Sequence, residues 1–211
     1  FYMGDGSSAS GLQAMTLRSK SGQTGGCLLA IEPTSSGSVG LYSFMNVDFT
    51  TTDSSGTTGT HKYTIFMDGT AKATAPVGIR GVDMFGCHVF GGSESSILVK
   101  GVLKWSFIGG GVYTAGGAAA SNVKIDGTAG VYSQNFIFQP SDCTTVIDMD
   151  YAKIGHIHTA SVGDLKNTAN TNNITFIGYD SGTYEENWAD SNVMHSRLGI
   201  KLKSLEANGS L

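Results

Sequence analysis

The sequence predicts an all-β chain whose short strands stack as successive coils of a parallel solenoid. Three observations lead there. First, one phrase occurs twice in close succession. Gly81-Val-Asp-Met-Phe-Gly-Cys-His-Val-Phe-Gly-Gly92 is followed by Gly101-Val-Leu-Lys-Trp-Ser-Phe-Ile-Gly-Gly110, each a glycine, a run of β-formers and a glycine pair. A strand and its near-copy one short repeat later are the mark of stacked coils. Second, apolar runs of strand length recur along the chain between glycine-rich and polar corners, and none carries a long helical period. Third, Gly 30 against Pro 3 in 211 residues gives glycine about twice its usual share, which suits a fold with many tight corners. The alternative is a β-sandwich or jelly roll, whose hairpins would use Asp68-Gly69 and Asp126-Gly127 as turns.

In chain order, residues 1–40 read as a lead-in and cap. They hold one apolar stretch around Leu12 to Leu17 and a compact buried strand, Cys27 to Ile31, stopped by Pro33. The regular part runs over residues 41–196. Its strands are Leu41 to Phe49, His61 to Asp68, the two members of the duplicated phrase, Asn122 to Gly127, Tyr132 to Phe138, Thr145 to Asp150, Ile154 to His158 and Asn173 to Gly178. Ser93 to Ser96 reads as a polar corner between the two phrases, and short helical candidates surround Ala118 and Glu185 to Trp188. Residues 197–211 form a last strand and tail, where Leu198, Ile200 and Leu202 alternate with Arg197, Lys201 and Lys203 and could cap the stack. A weak repeat, Asn-x-x-Phe-x-x-x-Asp, begins at Asn46, Asn135 and Asn173. It predicts that Phe49, Phe138 and Phe176 share an interior row and that the asparagines sit at bends.

The bulk composition narrows the function. Hydrophobic residues make up 40% of the chain, enough for a core, while charged residues make up only 14%. Hydroxyls and amides must then carry most contacts with water, as on extracellular scaffolds and carbohydrate-facing surfaces. A net charge of −4 with no basic stripe argues against nucleic acid. No apolar run approaches the length of a membrane-spanning helix, so no membrane insertion is expected. Cys27, Cys87 and Cys143 are odd in number and flanked by apolar residues. They are expected to be free, buried thiols, which fits folding in a reducing cytosol.

With these features the chain resembles the right-handed parallel β-helix proteins of bacteriophage tailspikes and tail fibres, a pectate-lyase-like group. The resemblance rests on Asn46 to Phe49, Gly81 to Gly92, Asn122 to Gly127 and Asn173 to Gly178, within residues 41–180, and on the Gly/Ser/Thr/Asn-rich composition. It implies a homotrimer on the phage tail, folded in the bacterial cytoplasm and working outside it. Its partners would be other tail proteins and a bacterial surface polysaccharide, capsule or lipopolysaccharide, bound for host recognition. Family members often cleave that polysaccharide, so glycoside hydrolase or lyase activity is a second expectation, and a purely structural fibre domain a third. The chain begins with Phe1 and is short for a whole tailspike, so it is expected to be a portion of one.

Several residues carry candidate chemistry. Asp148 and Asp150 lie at i and i+2, on one face of a strand, at a spacing that paired carboxylates use for glycosidic cleavage. His156 and His158 repeat that spacing. His156 is the candidate general base beside the aspartates, should the corner at Tyr151 to Lys153 bring it near Asp150, and His158 is a sugar hydrogen-bonding candidate. No third ligand accompanies the histidines at a metal-binding spacing, so neither metal nor cofactor is expected. Tyr179, Tyr184, Glu185 and Trp188 form the candidate carbohydrate-binding rim, since aromatic faces cover a pyranose and the segment is acidic and loop-like. Tyr113 and Tyr132 are further stacking candidates. Asp83, His88 and Trp105 read as scaffold, with Gly86 as a place for a bulge.

Overall fold

The computed structural model describes residues 1–3, 10–19, 26–33, 39–51, 61–70, 78–113, 121–128, 131–141, 144–166, 172–180, 193–196 and 200–202. The strands in chain order are β1 (Tyr2–Met3), β2 (Ser10–Arg18), β3 (Cys27–Ile31), β4 (Val39–Thr50), β5 (Tyr63–Asp68), β6 (Ile79–Phe85), β7 (His88–Phe90), β8 (Ser95–Lys100) and β9 (Trp105–Ile108). There follow β10 (Gly111–Tyr113), β11 (Ser121–Asp126), β12 (Ser133–Gln139), β13 (Thr144–Met149), β14 (Ala152–Lys166), β15 (Asn172–Asp180), β16 (Val193–Ser196) and β17 (Ile200–Leu202). No helix occurs among the described residues, so the chain is all-β there. The helical candidates at Ala118 and Glu185 to Trp188 lie outside them.

All the strands belong to one 17-stranded sheet. The chain alternates between two stacks within it. In the first, β1, β3, β5, β8, β11, β13 and the end of β14 pair in sequence. In the second, β2, β4, the β6–β7 pair, the β9–β10 pair, β12, the start of β14, β15 and β16 do the same. Every ladder between named strands is parallel except that of β16 with β17. Parallel ladders cannot be joined by tight hairpins, so this pairing is not that of the sandwich or jelly roll. Strands before residue 40 pair in the same register as those after it, β2 lying along β4 from Ser10↔Tyr42 to Arg18↔Thr50. The last steps of the second stack, Phe138 to Ile157 to Phe176 to His195, are equal in length and shorter than any earlier step.

The core fills the space between the stacks. From the first come Leu29, Ile31, Ile65, Met67, Ile97 and Val99, all fully buried; from the second come Phe44, Met84, Trp105, Phe107 and Phe138, fully buried as well. Side chains of equal register pile on one another, as Phe107 does with Phe138 at 5.6 Å between ring centroids. Trp105 also stacks on Phe138, one pair of residues out of register, at 5.6 Å and 15° between planes. The duplicated phrase does form adjacent turns: Val82↔Trp105, Met84↔Phe107 and Val89↔Val112 are in register.

Two expectations need correction. Ser93 to Ser96 is not merely a corner, since Ser95 begins β8, a buried strand of the first stack. Buried hydroxyl and amide groups there are satisfied by carbonyls of the second stack. Thr64 donates to Phe90 O at 2.9 Å, Ser96 to Gly91 O and Tyr113 O at 2.7 and 2.9 Å, and Asn122 to Val112 O at 3.4 Å. A serine pair that looks solvated is therefore interior, and backbone acceptors satisfy Ser96 there. The interior row also differs. Phe138 and Ile157 share one, and the backbone of Phe176 is in register with them, its side chain lying outside the description; Phe49 instead aligns with Val89 and Val112, and Phe44 takes its place. Asn46 and Asn135 do sit at bends, with φ of 52° and 53°, and Asn135 Nδ2 donates to Leu103 O at 3.2 Å.

Candidate functional site

One four-residue pattern recurs in the first stack: Leu29-Ala-Ile-Glu32, Ile65-Phe-Met-Asp68, Ile97-Leu-Val-Lys100, Val123-Lys-Ile-Asp126 and Ile147-Asp-Met-Asp150. The aliphatic positions point inward and are buried, while the second and fourth positions are on the outer face. Register then builds two outer columns. One runs Ala30, Phe66, Leu98, Lys124, Asp148. The other holds Asp68↔Lys100↔Asp126, with Glu32 one residue past the Ile31↔Met67 pair and Asp150 one residue past Ile125↔Met149.

Between and beside these columns lies an open groove of about 420 Å³, within the range of small-ligand sites. Tyr63 and Phe66 form its aromatic part, their ring centroids 5.6 Å apart. Glu32, Asp68 and Asp126 line it together with Lys62, Lys100 and Lys124. Lys100 Nζ lies 3.2 Å from Asp68 Oδ2, with 27% and 14% of the two side chains exposed, so this pair is only partly screened by water. Lys62 Nζ pairs with Glu94 Oε1 at 3.0 Å, and Lys124 Nζ with Asp148 Oδ2 at 3.8 Å. The Tyr63 hydroxyl donates to Glu94 Oε2 at 2.7 Å.

The titration of these groups follows from their surroundings. The hydrogen bond from Tyr63, helped by Lys62, holds the Glu94 carboxyl below its usual range against the opposing effect of burial. Burial pushes the Tyr63 hydroxyl up, and so do its bond to Glu94 and the acidic charges nearby. Burial, and then the charge of Asp68, raises Glu32. Burial also raises the Cys27 thiol at the groove's edge, so that thiol is not activated as a nucleophile. Because Glu32 binds its proton more tightly folded than unfolded, it opposes folding as pH rises through its folded pKa. Glu32→Gln is accordingly expected to raise Tm by on the order of a degree at neutral pH. The gain should vanish below the unfolded carboxyl range, as read by thermal melts at several pH values.

The residues singled out from the sequence fall in different places. Asp148 and Asp150 share the outer face of the first stack, flanking buried Met149, and extend the two groove columns. Asp150 ends at a bend, where its Oδ1 accepts the Tyr151 N–H at 3.0 Å. His156 and His158 are exposed on the outer face of the second stack, beside Ile137 and Gln139 and past the corner at Tyr151. The structure thus sets the aspartates and histidines on separate stacks. Tyr179 lies within β15, but its side chain is outside the description, and Tyr184, Glu185, Trp188 and Cys143 lie outside the described residues.

Among the other aromatics, Trp105 is fully buried. Tyr113 stacks on Phe90 at 4.6 Å, and Tyr132 is covered by the Lys153 ammonium 3.3 Å from its ring centroid. Gly86, at φ 61°, shifts the parity between β6 and β7. Cys87 therefore turns inward, while His88 turns outward to meet Asp48 at 3.0 Å.

Sequence reasoning missed Tyr63, Phe66, Glu32, Asp68, Lys100 and Asp126 as a group. The signal that could have found them is the aliphatic-x-aliphatic-charged repeat itself. No family model, curated protein or solved structure matches the chain.

Proposed function

We propose that the chain is a segment of a right-handed parallel β-helix of the phage tailspike or tail-fibre kind, which holds a bacterial surface polysaccharide in the groove of the first stack. The observation that carries this reading is the aromatic pair Tyr63 and Phe66 set beside a ladder of carboxylates and ammoniums in an open groove. Aromatic faces pack on the apolar side of a pyranose, and the polar ladder supplies donors and acceptors to its hydroxyls. The helical reading is supported by the alternation of the chain between two parallel stacks. Right-handedness is what parallel crossover connections overwhelmingly adopt.

A homotrimer is part of the proposal. Leu41, Met45, Phe85, Ile137 and Ile154 are exposed on the outer face of the second stack, where neighbouring copies would cover them. The setting is the virion tail outside the cell, with other tail proteins as partners, after folding in the bacterial cytoplasm, which free Cys27 and Cys87 suit.

The second reading, a depolymerase, is favoured by one observation: Asp148 and Asp150 continue the outer columns of the groove. Binding of host capsule or lipopolysaccharide fragments to the wild type and to Phe66→Ala tests the first reading. The variant should lose about tenfold or more in affinity, ~1.4 kcal/mol, with an unchanged circular dichroism spectrum. Equal affinity would remove the groove as the binding site. New reducing ends or unsaturated sugars that disappear with Asp148→Asn or Asp150→Asn would establish the depolymerase instead.

A further inference from the structure

The lysines of the groove are already engaged. Lys62 is paired with Glu94, Lys100 with Asp68 and Lys124 with Asp148. Tyr63 fixes Glu94 from its other oxygen, so that carboxylate is not free to swing away from Lys62. Glu32 and Asp126, both lining the groove, have no lysine or arginine partner among the described residues. Asp126 Oδ1 accepts the Gly127 N–H at 2.7 Å, a bond that fixes the carboxylate without neutralising it. In and around the groove, Glu32, Asp68, Glu94, Asp126 and Asp148 stand against Lys62, Lys100 and Lys124. The balance is negative and the surplus sits on two identified carboxylates.

We infer, resting on the reading that this groove holds a glycan, that it selects sugars bearing a free ammonium group and turns away uronates and other acidic sugars. An ammonium placed by Glu32 or Asp126 gains a partner that no lysine or arginine among the described residues supplies. A carboxylate placed there meets like charge, and to reach a lysine it must first break an existing ion pair. The pKa of Glu32 is raised first by burial and then by the charge of Asp68, and that second cause agrees, since it already disfavours more negative charge there. It also sets a pH dependence. Protonating Glu32 removes one of the two attracting charges, so affinity for the ammonium sugar falls as pH is lowered through the carboxyl range.

The test is calorimetric titration of the full chain with three tetrasaccharides of matched length: glucosamine with free amines, N-acetylglucosamine, and galacturonate. The amine form is expected to bind about tenfold or more tighter than the uronate at low salt. Added salt should narrow that gap, as should Asp126→Asn, which keeps the oxygen that Gly127 donates to. Uronate binding as tightly as the amine form, or a preference untouched by Asp126→Asn and by salt, would overturn the selectivity. If the uronate wins while Phe66→Ala still weakens every arm, the selectivity alone falls. If none of the three binds, the glycan reading falls and takes the selectivity with it.

Discussion

Trp105→Ala is expected to destabilise the fold by about 3–5 kcal/mol, the range for removing a large buried aromatic. For a chain of 211 residues this corresponds to a loss of roughly 6–20 °C in Tm. Trp105 is fully buried, stacks on Phe138 at 5.6 Å and lies 6.4 Å from Phe107. Its register partners, Val82 below and Phe136 above, belong to neighbouring turns. Truncation therefore leaves a void shared by three turns, and a stacked architecture cannot close it without shifting all of them.

The indole Nε1 has no hydrogen-bond partner among the described residues. An unsatisfied buried donor costs about 1–3 kcal/mol, so Trp105→Phe removes that penalty along with some volume. It should lie within about 1.5 kcal/mol of the wild type. Denaturant melts of the two variants decide the matter: equal losses for Ala and Phe would contradict the packing account.

The second large effect is expected at Gly110, and its neighbour is the control. Gly109 and Gly110 both have positive φ, 71° and 70°. A methyl added at Gly109 would meet its nearest atom at an ordinary 3.7 Å. The same methyl at Gly110 would run into the backbone carbonyl of Cys87, one turn away. That carbonyl already accepts the Gly111 N–H at 3.0 Å, so it cannot retreat without breaking the ladder that places β10 beside β7. Gly109→Ala should cost only the left-handed penalty, about 1–2 kcal/mol. Gly110→Ala should cost roughly twice that or more, or fail to yield folded protein. Equal melting temperatures for the two variants would contradict the backbone approach described here.

The two glycines also show what the sequence makes legible. Glycines that end each copy of the duplicated phrase mark corners, and the copies do stack in register, because these corners take a left-handed backbone and, at Gly110, leave no room for a Cβ. The register of Phe138 with Phe176 was legible for a similar reason, since two equal steps in sequence become two equal steps along a stack. Phe49 went astray because Asn46 and Asn135 kink their strands at different levels: Asn46, level with Gly86, follows the row of Phe44 and Met84, whereas Asn135 precedes it, so one local pattern lands on two rows. Ser95 and Ser96 were illegible as strand residues because both are buried, and the acceptors of Ser96 lie just past β7 and at the end of β10, on the other stack.

The groove was hidden in the same way. Glu32, Asp68, Lys100 and Asp126 come from four turns, and each looks locally like a charged strand end before a corner. Only alignment of the repeat, one aliphatic-x-aliphatic-charged unit per turn, brings them into a column. Asp148 and Asp150 were visible because both lie in a single unit. His156 and His158 stood out equally in sequence, yet the corner at Tyr151 carries them to the other stack.

The central claim is that ligand binding belongs to the outer groove of the first stack and not to the outer face of the second. Backbone amide NMR of the chain titrated with a bound oligosaccharide tests it most directly. The account predicts shifts concentrated at Lys62 to Asp68, Leu98 to Lys100 and Lys124 to Asp126, with Ile137 and Gly155 to His158 unmoved. Shifts concentrated at Ile137 and Gly155 to His158, with the first stack silent, would contradict it.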